Sequence, residues 1–362
     1  MNDAVYSTQD FPSTPFLAVD AAIMDRNLET MAARAAASSL SLRPHAKTHK
    51  SPQIARRQLE LGAVGLTVAT LGEAEVFAEA GCTDLFLAYP LWVTDARAAR
   101  IRALAERSTL RLGVDSADGA EQLGRAVRGS HVQVMIEVDS GHHRSGAQPD
   151  DVALVATAAQ AAGLEVAGVF TFPGHGYGPG RRAAAAADEA AALATAARAA
   201  RSAGAAAVVI SGGSTPTAAD ADASVLTEIR PGVYVFNDAQ QAELGTCGWD
   251  DVALFAVATV VSSSGRTVIL DAGSKVLGAD QPAWATGGGR ILGHPEARIT
   301  ALSEHHATVV FPAEGALPAR GDILRVAPNH VCATVNLADE LVLVRGGAME
   351  DVWPVAARGR NN

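Results

Sequence analysis

The segment RPHAKTHK, residues 43–50, concentrates basic side chains: one arginine, two lysines and two histidines within eight positions. A lysine in such surroundings can form a Schiff base with an aldehyde cofactor if its neighbours lower its pKa. Lys47 is the candidate for this role, whereas we interpret Lys50 as a surface or helix-start residue. The alternative for the whole segment is a solvated basic loop, because runs of charge usually lie on the surface.

Two later segments could hold a phosphate. The first is SGGST, residues 211–215, whose small residues follow an apolar run and leave backbone N–H groups accessible, with a following helix adding its positive end. The second is RPGVY, residues 230–234. Barrel enzymes bind phosphate with the loops of two adjacent late strands. The candidate phosphate contacts are therefore Ser214, Thr215, Gly232 and Tyr234.

Arg144 lies in the segment EVDSGHHRSG, residues 137–146, at the predicted end of a strand. An arginine there can bind an anionic ring oxygen or a carboxylate. A structural ion pair with Glu137 or Asp139 is the alternative.

His175, in the segment PGHGY of residues 173–177, can act as a general base or acid from a loop. A solvent-exposed loop histidine is the alternative. His45 and Tyr177 lie close in sequence to the candidates above, and we include both among the predicted cofactor contacts.

His330 and Cys332 form a His-x-Cys pair in the segment PNHVC. Residues i and i+2 of a strand point to the same face, so the two side chains could share a metal. A thiolate with an imidazole favours zinc, and two protein ligands leave an open site for water or substrate. A buried free cysteine is the alternative.

These candidates follow short apolar runs that alternate with helical patterns from residue 16 to about residue 235. Such alternation indicates parallel βαβ units. Eight units favour a (β/α)₈ TIM-like barrel, in which the chemistry lies where strands end. No GxGxxG follows the first run, which argues against a Rossmann fold. The predicted strands are 16–20, 40–44, 65–69, 84–88, 110–115, 132–139, 165–172 and 206–212.

After about residue 250 the pattern changes to strands and turns with little helix, which predicts a C-terminal all-β domain. The fold class is therefore α/β, with a barrel domain over residues 16–248 and a β domain over 249–362. The first 15 residues are candidates to join the β domain.

Composition narrows the class of function. The formal net charge of −10 argues against nucleic-acid binding, which usually needs a basic surface. Three scattered cysteines are too few for a disulfide framework and indicate a reducing cytoplasm. The alanine-rich run of residues 183–207 carries too many charges to span a membrane, and the first 15 residues lack the features of a signal peptide.

Taken together, these segments resemble the fold-type III pyridoxal-phosphate enzymes of the D-threonine aldolase and D-serine dehydratase family. The resemblance covers nearly the whole chain. It rests on RPHAKTHK (43–50), EVDSGHHRSG (137–146), SGGST (211–215), EIRPGVYVFND (228–238), ILDAG (269–273), PNHVCATVNL (328–337) and VWPVAARG (352–359). It implies an alanine-racemase-like barrel plus a β domain, usually assembled as a homodimer.

The resemblance also implies roles. Lys47 matches the Schiff-base lysine, and Arg144 matches the arginine near the phenolic oxygen of pyridoxal phosphate. Ser214, Gly232 and Tyr234 fall in phosphate-binding segments, and His330 with Cys332 matches the metal pair. The sequence departs from the aldolases at two positions. Ala69 stands where some aldolases carry a glutamine, and Cys332 stands where an aspartate is expected, which favours the dehydratases.

The implied function is a lyase that uses pyridoxal phosphate and a divalent metal, with zinc favoured over manganese or magnesium. The expected partner is a small β-hydroxy-D-amino acid. Retro-aldol cleavage of a D-threonine-type substrate to glycine and an aldehyde is favoured because of His175. The alternative is dehydration of D-serine or 3-hydroxy-D-aspartate to a keto acid and ammonia. A metal-free racemase, a non-catalytic cofactor carrier and a purely structural barrel remain further alternatives.

Overall fold

The structure of the chain is a computed structural model that describes residues 11–206 and 209–362. The chain divides into two compact units. Among the described residues, the barrel unit comprises Thr30–Lys47, Pro52–Gly232 and Gly359–Asn362, and the β unit comprises Phe11–Glu29, Thr48–Ser51 and Val233–Arg358. Neither unit is a continuous segment, so the units differ from the expected domains 16–248 and 249–362.

The strands and helices alternate regularly up to about residue 212 and become mostly strands after residue 253. The strands are β1 Phe16–Asp20, β2 Ser41–Leu42, β3 Leu66–Val68, β4 Asp84–Pro90, β5 Thr109–Val114, β6 Val132–Glu137, β7 Glu165–Phe170, β8 Val209–Gly212, β9 Glu228–Ile229, β10 Leu254–Ser264, β11 Thr267–Leu270, β12 Arg290–Ile291, β13 Arg298–Leu302, β14 Ala307–Val310, β15 Ile323–Ala327, β16 Glu340–Arg345 and β17 Ala348–Pro354. The α-helices are α1 Ala21–Ala37, α2 Pro52–Glu60, α3 Leu71–Glu79, α4 Asp95–Ala105, α5 Ala117–Ala126, α6 Val152–Ala161, α7 Arg182–Ser202, α8 Ala239–Glu243, α9 Ser274–Leu277 and α10 Val331–Leu337.

The barrel unit is built on an eight-stranded parallel sheet in the order β2-β9-β8-β7-β6-β5-β4-β3. Its two end strands are joined by backbone hydrogen bonds from Val64 N to Leu42 O (2.9 Å) and from Thr67 N to Pro44 O (2.8 Å). The predicted TIM-like barrel is therefore confirmed. Phe86, Met135 and Phe170 pack together as a buried apolar cluster of this unit.

One predicted barrel strand is assigned wrongly. Residues 16–20 form β1, which pairs antiparallel with β10 and parallel with β16 in the β unit. Four of its five residues are buried, and a short apolar run of this kind fits a parallel barrel and a buried mixed sheet equally well. The eighth barrel strand is β9, whose two residues are too short to produce a recognisable apolar run.

The helices that flank the barrel strands begin at local caps. The hydroxyl groups of Thr70 and Ser116 accept the backbone N–H of Glu73 and Gly119 at the starts of α3 and α5. Most of the alanine-rich run lies in α7, which buries alanines and Leu193 along one side. Within the described ranges, no helix has the length and apolar character required to cross a bilayer.

The β unit contains a nine-stranded sheet in which β10 pairs with β1, β11 and β15. Its core includes Phe255, Val257, Val342 and Val344. The predicted C-terminal β domain is thus confirmed, although the short helices α8, α9 and α10 interrupt the strands.

The expected association of residues 1–15 with the β domain can be followed over residues 11–15, since the first ten residues lie outside the described part of the chain. Phe11 packs against the apolar core of the β unit. The hydroxyl group of Thr14 donates to Asp271 Oδ2 at 2.6 Å and lies 2.5 Å from Thr259 Oγ1. These contacts attach residues 11–15 to the β unit.

Candidate active site

Lys47 lies in one turn of 3₁₀-helix, Ala46–Thr48, that follows β2. The backbone N–H groups of Arg43 and His45 donate to the carbonyl oxygens of Ile229 and Pro231, both at 3.0 Å. The chain leading to Lys47 is therefore fixed to the end of β9. The Lys47 side chain is half-buried, and its Nζ lies 5.9 Å from the centre of the Phe172 ring.

The basic segment around Lys47 is not a solvated loop. Arg43 is buried and donates to Glu228 Oε2 at 2.7 Å and to Asp84 Oδ1 at 2.6 Å. Burial opposes its positive charge, but the two carboxylates outweigh burial and raise the pKa of Arg43. Lys50 is buried too, and its Nζ donates to Asn336 Oδ1 at 2.7 Å, so the prediction of a surface lysine is wrong.

Arg144 approaches the same aromatic ring as Lys47. Its guanidinium carbon lies 5.2 Å from the centre of the Phe172 ring, a cation–π distance. Arg144 Nη2 also lies 3.8 Å from Glu137 Oε1, a long ion pair with the arginine half-exposed. Burial raises the pKa of Glu137 although Ser145 and Arg144 oppose the shift. The fold thus brings Lys47 and Arg144 to one aromatic side chain.

The loops that follow β6 and β7 interlock through two histidines. A Cβ added to Gly174 would lie 2.5 Å from the His142 ring, and one added to Gly141 would lie 3.4 Å from the His175 ring. Each imidazole therefore packs on the glycine backbone of the opposite loop. Burial, with Arg144 and His175 adding to its effect, lowers the pKa of His142.

His175 is held and largely shielded, unlike a solvent-exposed loop residue. Its side chain is 14% exposed, and its Nε2 lies 3.2 Å from Asp188 Oδ2 on α7. Its Nδ1 is buried and has no hydrogen-bond partner among the residues that the structure describes. One ring nitrogen is thus oriented by a carboxylate, and the other remains available for proton transfer.

Phe172 connects most of the predicted residues and is the main one that sequence reasoning missed. Besides Lys47 and Arg144, its ring contacts His142 edge-on at 5.5 Å and Tyr177 at 6.0 Å between ring centres. Only its position two residues after β7 could have indicated this role. The half-buried His45 forms an isolated bridge with Thr67 in the barrel wall.

The predicted phosphate segment forms a tight turn after β8. A Cβ on Gly212 would lie 2.4 Å from Glu189 Oε1, and Gly213 has a φ of +77°, so both positions require glycine. The Ser214 N–H donates to Thr217 Oγ1 at 3.0 Å, and Ser214 and Thr215 are buried. The helix expected after this turn is not formed. Residues 215–219 are hydrogen-bonded turns, in which the Ala218 N–H donates to the Ser214 carbonyl at 2.9 Å.

Glu189 on α7 is hydrogen-bonded to this turn, since its Oε1 accepts the Gly213 N–H at 2.6 Å. Complete burial raises the pKa of Glu189 from its usual 4.5 to about 7, although the Gly213 hydrogen bond and Arg230 oppose the shift. The folded state therefore holds a proton that the unfolded chain releases as the pH rises above 4.5. This contribution to stability is complete below pH 4.5 and is lost as the pH rises through about 7.

We predict that Glu189→Gln removes this pH dependence while retaining an acceptor for Gly213. The free energy of unfolding of the wild type, relative to the variant, should fall by about 3 kcal/mol between pH 4.5 and 7.5. Urea unfolding of both proteins across this range measures the difference. Parallel pH profiles would show that Glu189 does not titrate in this way.

The other predicted phosphate contacts lie at the division between the units. Gly232 is the last residue of the second segment of the barrel unit, and Tyr234 belongs to the β unit. Tyr234 is 4% exposed in the 3₁₀ turn Val233–Val235.

The residues of the barrel unit fit pyridoxal phosphate by their chemistry. Lys47 supplies an amine beside an aromatic ring, Arg144 supplies a cation for an anionic oxygen, and Ser214 and Thr215 supply hydroxyl groups at the glycine–serine turn. His175 adds a buried ring nitrogen without a partner among the described residues.

In the β unit, the Cys332 side chain lies beside the His330 imidazole. Burial opposes the charge on His330, but Cys332 and Asp280 outweigh burial and raise the pKa of the imidazole to about 10. The two side chains lie together, and their nitrogen and sulfur donors suit zinc. Among the described residues, no group of three or more His, Cys, Asp or Glu side chains is arranged to hold a metal. The chemistry of this two-donor set fits an open metal site.

The predicted strand geometry of this pair is wrong. His330 is the N-cap residue of α10, and Cys332 lies in its first turn. The buried carboxylate of Asp238 accepts the Val331 N–H at 3.1 Å and, with its other oxygen, the Gln241 N–H of α8 at 2.9 Å. Burial raises the pKa of Asp238 to about 6 although these hydrogen bonds oppose the shift. One carboxylate thus caps two helices and fixes the start of α10.

Comparisons with known proteins agree with these features. The family described as alanine racemase, N-terminal domain, matches residues 19–240, and the putative serine dehydratase domain matches residues 253–344. The chain is 37% identical to a D-threonine aldolase from an Arthrobacter species, over 96% of this chain and 93% of the relative. It is 36% identical to a D-threo-3-hydroxyaspartate dehydratase from Delftia sp. strain HT23, over 89% of this chain and 91% of the relative.

A solved structure of a cysteine-to-alanine variant of D-threo-3-hydroxyaspartate dehydratase, in a metal-free form, superposes with a TM-score of 0.88. It is 33% identical and covers 97% of this chain and 98% of that protein. The similarity to these proteins extends over both units. The family implies pyridoxal phosphate, and the metal-free form of the related structure suggests a metal. The chain therefore belongs to the alanine racemase N-terminal domain family and is a lyase of the fold-type III pyridoxal-phosphate group.

Proposed function

We propose that the chain cleaves β-hydroxy-D-amino acids of the D-threonine type to glycine and an aldehyde, using pyridoxal phosphate and a divalent metal. In this proposal the barrel unit binds the cofactor and the β unit carries the metal pair. The observation that carries the proposal is the convergence of Lys47 and Arg144 on Phe172, beside the loop of His175. The similarity to D-threonine aldolase supports the choice of substrate class.

Each predicted cofactor contact has its own role in this proposal. Lys47 would hold the aldehyde carbon of the cofactor through its amine, and Arg144 would contact the phenolic oxygen. The turn of Ser214 and Thr215, with Gly232 and Tyr234, would bind the phosphate, and His45 and Tyr177 would line the ring. When bound, pyridoxal phosphate supplies an electron sink for bonds to the substrate α-carbon.

His175 is the proposed base for carbon–carbon cleavage. Asp188 orients its Nε2, so Nδ1 would accept the proton of the substrate β-hydroxyl group. Loss of that proton lets the Cα–Cβ bond break, with its electron pair remaining on the α-carbon and an aldehyde leaving. A metal held by His330 and Cys332 would supply Lewis acidity at the hydroxyl group.

Dehydration is the second candidate function, and two observations favour it. The metal pair contains Cys332, and the chain resembles D-threo-3-hydroxyaspartate dehydratase almost as closely as D-threonine aldolase. In this reaction the released amine of Lys47 would take the α-proton, and the β-hydroxyl group would leave as water. Hydrolysis of the resulting enamine gives a keto acid and ammonia.

Product analysis separates the two reactions. The holoenzyme is incubated with D-threonine, D-serine and D-threo-3-hydroxyaspartate, and glycine, aldehyde, keto acid and ammonia are measured separately. The proposal predicts glycine and acetaldehyde in equal amounts from D-threonine, without ammonia. Keto acid and ammonia in equal amounts would establish the dehydratase instead, and exchange of the α-proton without either product set would support a racemase.

We predict that His175→Ala slows carbon–carbon cleavage by about 10²–10⁴-fold, the usual contribution of a general base. Any elimination activity should change much less, because the α-proton is removed by Lys47. The control is His143→Ala, which removes an imidazole with an 80% exposed side chain that is hydrogen-bonded to Asp139. Steady-state rates for both reactions check the prediction, and equal losses in both would remove His175 from this role.

We further propose zinc as the native metal, a homodimer as the assembly and the cytoplasm as the location. The thiolate–imidazole donor set supports zinc over manganese or magnesium. Family resemblance supports the homodimer, and the scarcity of cysteine supports the reducing compartment. Elemental analysis and light scattering of the purified protein test the first two.

A further inference from the structure

The imidazole of His330 has a carboxylate partner outside the predicted metal pair. His330 Nδ1 lies 2.6 Å from Asp280 Oδ2, across fifty residues of sequence. Histidines that bind metals usually donate their second ring N–H to a carboxylate, which fixes the tautomer and the orientation of the ring. If Nδ1 carries the proton toward Asp280, the lone pair on Nε2 is free to bind a metal.

The loop that carries Asp280 is fixed to α10 by contacts that do not involve the carboxylate. Thr334 Oγ1 donates to the Leu277 carbonyl at 2.7 Å. A Cβ on Gly278, whose φ is +78°, would lie 3.4 Å from the Ala333 Cβ. Asp280 is therefore presented to His330 by a loop that should keep its position when the carboxylate is removed.

The Asp280–His330 hydrogen bond also lies outside the apolar core. The Asp280 side chain is 52% exposed and that of His330 is 35% exposed. An isolated pair with this exposure adds little to folding stability. Its short, directed geometry is more readily explained by orientation of the imidazole than by stabilisation of the fold.

Cys332 has a separate partner on its other side. Thr48 Oγ1 lies 3.2 Å from Cys332 Sγ, within the β unit. Outside the pair itself, the imidazole thus contacts Asp280 and the thiol contacts Thr48. The two contacts are independent, so one can be removed without the other.

We infer that Asp280 is a positioning residue of the metal site, which orients His330 and keeps Nε2 directed at the ion. This inference rests on the metal pair of the proposed function and adds a residue that the pair itself does not include. Loss of such a partner typically weakens metal binding by about 10–100-fold.

The test compares metal affinity among matched variants. Chelated wild type, Asp280→Ala and Asp280→Asn are titrated with zinc against a chromophoric chelator. Asp280→Ala should raise the dissociation constant by about 10–100-fold, and Asp280→Asn, which keeps an acceptor oxygen without the charge, by less. The control is Asp339→Ala, which removes an 82% exposed carboxylate of the same unit that is paired at 2.6 Å with Arg358.

Two further readouts separate positioning from a structural effect. The melting temperature of the metal-free protein should be unchanged in both Asp280 variants. When saturated with cobalt, Asp280→Ala should keep the thiolate-to-metal absorbance, because Cys332 still binds.

Wild-type zinc affinity in Asp280→Ala, with binding lost in His330→Ala, would overturn the inference and leave the metal pair intact. Wild-type affinity in His330→Ala and Cys332→Ala as well would overturn both the inference and the metal part of the proposed function.

Discussion

Lys47→Ala should abolish the visible absorbance of the lysine-bound cofactor and lower turnover by at least about a thousandfold, since it removes both the attachment point and a proton-transfer group. The chain has only three lysines, Lys47, Lys50 and Lys275, so the assignment can be tested exhaustively. Lys50 is buried and hydrogen-bonded to Asn336, whereas Lys275 is 57% exposed and paired with Glu304. The half-buried Lys47 beside Phe172 is the one placed with Arg144 and next to the loop of His175.

Hydride reduction followed by peptide mapping measures this directly. The cofactor should be found on the peptide that contains Lys47 in the wild type and in Lys275→Ala, and on no lysine peptide in Lys47→Ala. Label on Lys50 or Lys275 in the wild type would remove Lys47 from its proposed role.

Cys332→Ala should lower bound metal from near one ion per chain to a small fraction while leaving the cofactor absorbance in place. A lone imidazole holds a divalent ion far less tightly than an imidazole with a thiolate, and the cofactor is attached through a different residue. Metal content by elemental analysis and cofactor content by absorbance are measured on the same sample.

Cys247→Ala is the matched control for this experiment, since Cys247 is the other cysteine of the β unit. Burial, with Asp238 and Asp251 adding to its effect, raises the pKa of Cys247 to about 12, so its thiol stays protonated at neutral pH. Its removal should leave metal content unchanged. Equal metal content in Cys332→Ala and the wild type would exclude Cys332 as a ligand.

The architecture was predictable where the apolar periodicity was long. The alternation of apolar runs and helices identified seven of the eight barrel strands, β2 to β8, although residues 207–208 of the last run lie outside the described ranges. β9 is absent from the predicted strands because a strand of two residues is too short to show a pattern of apolar residues. β1 was misassigned because its burial is compatible with either sheet, and only pairing with β10 and β16 decides its place.

The candidate site was predictable where a residue type carries its own chemistry. Lys47, Arg144 and the His330–Cys332 pair are identifiable from local sequence, and the structure brings the members of each group together. Phe172 and Asp280 were missed because their contacts are with residues distant in sequence. The helix at His330 was missed for the same reason, since its cap, Asp238, lies 93 positions away.

The burial of Lys50 could not be predicted from its local sequence. Its sequence context, a basic run before a proline-initiated helix, favours a surface position. The structure instead buries it with a φ of +50° and bonds it to Asn336 on α10. Burial of a lysine depends on a partner 286 residues away, which no local pattern can indicate.

The dependence of activity on metal tests the proposed function most directly. Holoenzyme is stripped with a chelator, assayed with D-threonine for glycine and acetaldehyde, and assayed again after zinc, manganese or magnesium is restored. The proposal predicts that cleavage stops on chelation and returns with metal in the wild type and in Cys247→Ala, but not in Cys332→Ala. Undiminished cleavage by the stripped wild type, with cofactor still bound, would contradict it.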